Sequence, residues 1–331
     1  YENNSVADIP LEKKRDFIEK RKKFVEDDEY LKVASAVYGD LRSVYEFCSS
    51  LGADITYDIQ YVTAIIQVSL AFGKETFDNH IIKSADCFND LKITKAELTD
   101  FMYESDKFLL TARSVEPGNY PVVLAPPVAG VFAHESFGHK SEADFMLGDE
   151  TMKKEWALGK KVATDVLSIY DTGDIAGAGY VPYDDEGTKT KKTYLIKDGI
   201  LTGRLHSAKT AADIGEELTG NARAINCDFE PIVRMTTTLI EGKGDNSFKD
   251  LVKQIRYGYF IKTCKHGSGL SRFTIAPNIA YRIENGKITC PVKIAVISGD
   301  VFETLGKIDG VSKAEDMQII GGNCGKMEQY P

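Results

Sequence analysis

His134, Glu135 and His139 stand in the order His-Glu-x-x-x-His, two imidazoles five residues apart with a carboxylate beside the first. Neutral imidazoles are ligands for zinc, and a carboxylate next to a ligand is placed to act as general base on a metal-bound water. Chance produces the pattern in roughly one chain of this kind in two hundred, so it is informative without being decisive. A pair of hydrogen-bonded surface or core histidines is the plain alternative. Spacing adds a physical condition. Histidines four apart lie about 40° from each other around an α-helix, whereas five apart gives about 140°, and the rings diverge. A metal site here therefore requires an unwound turn or a π-bulge, which adds one residue to the turn, and Gly138 is expected to ease that distortion.

Two imidazoles need a further protein donor. Cys324 has the most suggestive setting, Gly321-Gly322-Asn323-Cys324-Gly325-Lys326, where glycines on both sides let backbone and thiolate approach a cation closely. Its plain reading is a small buried thiol in a tight turn. Two imidazoles and a thiolate favour Zn2+ with one coordination position left for water, whose pKa the metal lowers towards about 7. Iron, nickel and copper also accept imidazole. In such a site Glu135 takes the proton of that water and returns it to the leaving amine.

The elements that must position these residues are of mixed type. Residues 11 to about 50 carry apolar positions Phe17, Phe24, Leu31, Val33, Val37, Leu41, Val44 and Phe47 at roughly helical spacing, which predicts one or two amphipathic helices. Asp54 to Phe72 alternates through Ile55, Tyr57, Ile59, Tyr61 and Ile65 as a strand does, and Lys95 to Arg113 is helix-like. Val122 to Leu124 reads as a short strand ending at Pro126-Pro127, which open a helix running through Lys140 and holding the motif. Beyond Val162 the signals turn mostly β. Asp198-Gly199 and Asn285-Gly286 are corners of two hairpins with type I′ turns. Arg234 to Ile240 and Lys293 to Ile297 read as strands, and Ser247 caps a short helix reaching Tyr257. The expected fold class is α+β. The expected division is an N-terminal α+β domain, residues 1–160, ending in the motif helix, and a β-rich C-terminal domain, residues 161–331, carrying the third ligand.

Composition narrows the class. The chain has 331 residues, 43% hydrophobic and 27% charged, and no apolar run approaches the roughly 20 residues of a membrane span. A formal charge of −9 disfavours nucleic acid as a direct partner, because that binding draws on clustered Lys and Arg. The one basic run, Lys13 to Lys23, is interleaved with acids and reads as a solvated helix face. Six cysteines, Cys48, Cys87, Cys227, Cys264, Cys290 and Cys324, fall at irregular spacings without a CxxC pair. That is the pattern of reduced thiols in a cytoplasmic protein, five of them expected to be ordinary buried residues. Tyr1 is no initiator methionine and the chain stops soon after Cys324, so the expectation is of a fragment lacking pieces at both ends.

Several segments in order resemble a known family. His134-Glu-Ser-Phe-Gly-His-Lys-Ser-Glu-Ala-Asp-Phe145 resembles the zinc-site motif of the TldD/PmbA metallopeptidases, once called modulators of DNA gyrase. Tyr183-Asp-Asp-Glu-Gly187, Thr193 to His206, Arg234-Met-Thr-Thr-Thr238, Ala280 to Thr289, Pro291-Val-Lys293 and Cys324-Gly-Lys326 are similar to further family blocks, from about Pro121 to the last residue. The resemblance implies a zinc-dependent peptidase of the TldD kind, with the metal on His134, His139 and Cys324 and Glu135 as base. It also implies subunits that pair, as a homodimer or with a homologue, and admit peptides or unfolded segments. Residues 1 to 110 resemble the family only loosely. The alternative is a binding or maturation subunit with a structural metal, acting through a protein partner. Three further residues are candidates for the site. His206, at the end of the first hairpin, could polarise a substrate carbonyl, its plainer reading being a surface residue. Asp144 could orient a ligand imidazole, or be an exposed acid near a helix end. Arg234 could grip a peptide carboxylate or main chain, or pair with an acid inside the sheet, the reading we favour.

Overall fold

The computed structural model describes residues 1–331 apart from 2–3, 51, 177–178, 323 and 327–331. Asn323 and the last residues, on which the expectation of a missing C-terminal piece rests, lie outside the described residues. Chain order begins α1 (Leu11–Val25), β1 (Leu31–Cys48), β2 (Asp54–Phe72), β3 (Glu75–Ala85), α2 (Lys95–Thr111) and β4 (Arg113–Ser114). It continues with β5 (Val122–Leu124), α3 (Pro126–Ala133), α4 (Glu150–Glu155), β6 (Ile169–Thr172), β7 (Thr193–Lys197), β8 (Ile200–Leu201), α5 (Ala208–Ile214), β9 (Ala222–Arg223), β10 (Ile232–Val233) and β11 (Thr237–Ile240). The remainder holds α6 (Phe248–Lys253), β12 (Tyr257–Ile261), β13 (Cys264–Gly269), β14 (Arg272–Pro277), β15 (Ala280–Glu284), β16 (Lys287–Lys293), β17 (Ile297–Asp300) and α7 (Val301–Leu305). The fold is mixed α+β with a β-rich C-terminal part.

The chain divides into two compact units, residues 1–114 with 176–178 and 290–292, and the rest. The main stretch of the first unit ends at Ser114, and the motif helix lies in the second unit. The reason is β5, which leads into the motif helix and runs parallel to β12 with Val123 opposite Phe260, so that the helix is built into the second unit.

In the first unit, β1, β2 and β3 form an antiparallel sheet. Alternate residues of β2, Val62, Ala64, Ile66, Val68 and Leu70, are buried, as a half-covered strand requires. Gln60, also on that face, is buried because its side chain accepts from Val6 N–H at 2.9 Å and donates to the Asn4 and Asp86 carbonyls. Helix α2 packs on this sheet through Phe108, whose ring lies 4.5 Å from that of Phe77. Thr94 and Glu97 close a capping box at its start. The second amphipathic helix expected before residue 50 is absent: Leu31–Cys48 is a strand, paired with β2 along its length. Its apolar residues four apart mimic a helix, yet Val37 and Leu41 face Ile65 and Tyr61 across the ladder.

In the second unit the two corners turn as their sequences dictate. Asp198 and Asn285 both have φ of 50°, followed by Gly199 at 78° and Gly286 at 74°, the pair of positive values that a type I′ turn needs. Of the strand expected over Arg234 to Ile240 only Thr237–Ile240 forms, as β11, because residues 234–236 bond instead to the Cys324 carbonyl, Glu142 and Asp171. The strand expected over Lys293 to Ile297 is likewise displaced, β16 ending at Lys293 and β17 starting at Ile297. Ser247 caps α6 as anticipated. All six cysteines are free, and Cys48, Cys227 and Cys290 are exposed while Cys87 and Cys264 are partly so, which corrects the expectation of five buried thiols. Among the described residues no helix is long and apolar enough to cross a membrane.

Candidate metal centre

The site begins where Pro126 and Pro127 open α3 without sacrificing a hydrogen bond. The helix does not continue in α form. His134–Gly138 make a π turn, closed by the His139 N–H donating to the His134 carbonyl, and His139–Ser141 add a short 3-10 turn. A π turn advances only about 80° per residue, so positions five apart return to within about 40° of each other. The two rings accordingly come together, centroids 4.8 Å apart and nearly perpendicular. The turn is held by packing on its far side, where Phe137, fully buried, lies 4.7 Å from the Trp156 ring. Gly138 is helical in backbone, φ −56° and ψ −55°, so conformational freedom is not its role. A Cβ there would collide with Met235 Sδ and lie 3.1 Å from its Cε. The glycine makes room for Met235.

Cys324 reaches this turn from the far end of the chain. Its Sγ lies 3.1 Å from His139 Nε2, and one donor atom from each of His134, His139 and Cys324 lies within 4.8 Å of the others. A tetrahedral zinc holds such nitrogens and sulfur about 3.3–3.6 Å apart, so the donor set fits that ion with small side-chain rotations. The thiol and the imidazole shift each other towards their charged forms. Burial pushes the Cys324 thiol up, but hydrogen bonds from His134 and His139 outweigh it and hold the thiol down at about 6. Burial pushes His139 down, and hydrogen bonds to Cys324 and Glu142 reverse this and raise it to about 9. A thiolate beside an imidazolium is a site in which a cation can replace a shared proton. Glu135 is partly exposed on the same turn, and its carboxylate makes no hydrogen bond to a described residue.

The carboxylate that orients His139 is Glu142, which the sequence reading missed. It is fully buried, its Oε2 lies 3.1 Å from His139 Nδ1, and its Oε1 accepts from Met235 N–H at 3.3 Å. Burial pushes its pKa up, but the bond to His139 and the charge of Lys326 win and keep it below the usual value. An acid three residues beyond a candidate ligand was the available signal. Asp144 hydrogen-bonds to neither candidate ligand ring. Its Oδ1 accepts from Lys326 Nζ at 2.6 Å and its Oδ2 from Val233 N–H at 3.3 Å, because the 3-10 segment after His139 turns residue 144 away. Arg234 is buried and donates from Nη2 to the Cys324 carbonyl at 2.7 Å, so it grips main chain, but of this chain. His206 is neither a surface residue nor open to a substrate. It is 1% exposed, with Nε2 2.9 Å from Glu216 Oε2 and Nδ1 3.1 Å from Thr210 Oγ1, in a network where Arg204 also holds Glu216.

Comparison with known proteins identifies the family. The family described as PmbA/TldA metallopeptidase C-terminal domain matches residues 117–326. The chain belongs to the TldD/PmbA family. Among relatives, the metalloprotease MJ0996 of Methanocaldococcus jannaschii is 35% identical over 330 residues, 97% of this chain and 70% of that protein. A zinc metalloprotease TldD homolog of Saccharolobus solfataricus is 34% identical over 224 residues, 66% of this chain and 49% of that one. The chain thus spans 70% of the first and about half of the second. The fold is shared with two solved TldD/PmbA-like structures: TM0727 of Thermotoga maritima (TM-score 0.79, 22% identity, 92% of this chain and 70% of that one) and TldE of Thermococcus kodakarensis (0.73, 20%, 90% and 69%).

Proposed function

We propose that the chain carries the zinc centre of a peptidase acting on peptides or unfolded protein segments, with His134, His139 and Cys324 as ligands and Glu135 as general base. The observation supporting this is the π turn that brings donors five residues apart into one cluster with a thiolate 185 residues on. Three protein ligands are the pattern of catalytic zinc, whereas a structural site in a binding or maturation subunit would take a fourth, and the cluster among the described residues has three. A cation held there supplies Lewis acidity for activating water and polarising a peptide carbonyl. Glu135 takes a proton from the attacking water and delivers it to the leaving amine.

The strand β13 is the proposed seat for substrate. Among the described residues it pairs on one side only, with β14, leaving an edge to which an extended peptide can add as a strand. Its glycines approach the base closely: a Cβ on Gly267 would lie 2.9 Å from Glu135 Cγ, and one on Gly269 2.6 Å from the Glu135 carbonyl oxygen. Main-chain recognition of this kind gives broad side-chain preference. Likeness to TldE supports a working unit made with a second copy or a homologous subunit, and six free thiols support a cytoplasmic location. Replacing Glu135 by Gln is expected to leave metal bound and abolish cleavage of peptides. Hydrolysis at the parental rate by the purified variant refutes the assignment of the base.

A further inference from the structure

The segment that brings Cys324 to the metal turn ends in a lysine with no solvent to face. The Lys326 side chain is 3% exposed, and its ammonium donates to Asp144 Oδ1 at 2.6 Å and Val233 O at 2.9 Å and forms an ion pair with Glu142 Oε2 at 3.1 Å. Two hydrogen bonds and two carboxylates around one buried ammonium make this a charged seat inside the fold. Glu142 is the same carboxylate whose Oε2 lies 3.1 Å from His139 Nδ1. Lys326, Glu142 and His139 therefore form one chain of charge-assisted contacts, running from the strap to a ligand ring whose other nitrogen, Nε2, faces the Cys324 sulfur. Two residues before the lysine, the Cys324 carbonyl is held by Arg234 Nη2 at 2.7 Å. Between these anchors stands only Gly325. Before them, Gly321 and Gly322 are exposed, with nothing within 4 Å of a Cβ placed on either.

We propose that Lys326 is a positioning residue for the metal, and that docking of the strap 324–326 and loading of the cation are one coupled equilibrium. This inference rests on the zinc-site reading above. A thiolate ligand delivered from a remote, glycine-flanked segment must be ordered at the cost of its conformational freedom. Seating Lys326 offsets part of that cost before any cation arrives, and at the same time holds Glu142 where it turns Nδ1 of His139 away and leaves Nε2 for the metal. Coupling is reciprocal, so a bound cation also holds the strap down.

The test uses the full chain with zinc alone, its affinity read by competition against a chromophoric chelator, and with Co2+, whose thiolate charge-transfer band reports whether Cys324 is bound. Lys326→Met is expected to weaken zinc affinity about 10–100-fold and to diminish the band, while Lys326→Arg keeps the charge and recovers most of both. Zinc should slow proteolytic nicking at Gly321-Gly322 in the parent and lose that protection in Lys326→Met. Should Lys326→Met fail to fold, Asp144→Asn, which retains the lysine and weakens its seat, is expected to lose about tenfold in affinity with the same fading of the band. Parental affinity and an unaltered cobalt spectrum in Lys326→Met, or in Asp144→Asn where that variant carries the test, overturn the inference and leave the metal site standing. Equal losses in the Met and Arg variants with an unaltered spectrum also overturn it. A parent that takes up no stoichiometric metal overturns the zinc reading together with it.

Discussion

Replacing Gly138 by alanine puts one methyl group where the structure has none to spare. The new Cβ collides with Met235 Sδ and stands 3.1 Å from its Cε and 3.4 Å from its Cγ, against an ordinary contact of about 3.5–4 Å. Met235 is 4% exposed, so its side chain cannot swing to solvent. Overpacking of this kind costs about 1–3 kcal/mol, which for a unit of roughly two hundred residues lowers the melting temperature by about 2–12 °C. Relief by moving the Met235 backbone weakens the bond from Met235 N–H to Glu142, so the same substitution should also lower zinc affinity. The assay is thermal unfolding followed by circular dichroism in chelator, paired with zinc titration of the folded protein. Met235→Ala alone is expected to cost about 2–5 kcal/mol for the cavity it leaves. In that background Gly138→Ala should be nearly free, giving a coupling energy of about 1–3 kcal/mol. Equal cost of Gly138→Ala with and without Met235 refutes the steric reasoning, and points back to a backbone role for the glycine.

Three further outcomes follow from the same geometry. Glu142→Gln keeps the shape but weakens the hold on His139 Nδ1, and zinc affinity by chelator competition should fall about 10–100-fold, an unchanged value counting against the orienting role. Zinc affinity should rise with pH, because binding needs a deprotonated His139 and thiolate. With His139 at about 9 and Cys324 at about 6 in the metal-free chain, the gain is about tenfold per unit between pH 7 and 9, steeper below about 6 and level above about 9, and a flat profile from 7 to 9 contradicts it. Asn285, at φ 50°, tolerates the left-handed region that a β-branched residue resists, so Asn285→Val should cost about 1–2 kcal/mol in urea unfolding with an unchanged slope, while Asn285→Gly costs less than about 0.5 kcal/mol.

What could be read from sequence was whatever the chain expresses locally. His134, Glu135 and His139 are neighbours, and a metal site at their spacing required an unwound turn or a π-bulge, the second of which His134–Gly138 make. The two hairpin corners and the proline-opened helix are local in the same sense. Strand β1 misled because edge position and partial exposure let its apolar residues recur every four positions, and only pairing with β2, from Cys48 with Asp54 to Leu31 with Leu70, decides between the two periods. Arg234 and Asp144 were visible as candidates, but their partners, the Cys324 carbonyl and Lys326, lie 90 and 182 residues off. Periodicity carries no information about such pairs.

His206 shows the same limit from the other side. As a histidine at the end of a short hairpin it had every local mark of a solvated residue. It is instead enclosed, because Glu216, ten residues on, folds back to meet it and Arg204, while Thr219 Oγ1 accepts from its own N–H at 2.7 Å. A buried imidazole with both nitrogens engaged has no lone pair or proton to offer a substrate, and removing it would leave Glu216 short of a partner in a low-dielectric setting. Glu135 is the contrasting case: partly exposed, unbonded to any described residue, and close to two glycines of a strand that pairs on one side only among the described residues. The difference between a histidine that holds the fold and a carboxylate left available for chemistry is therefore a difference in satisfied hydrogen bonds, and residue type and motif position alone do not carry it.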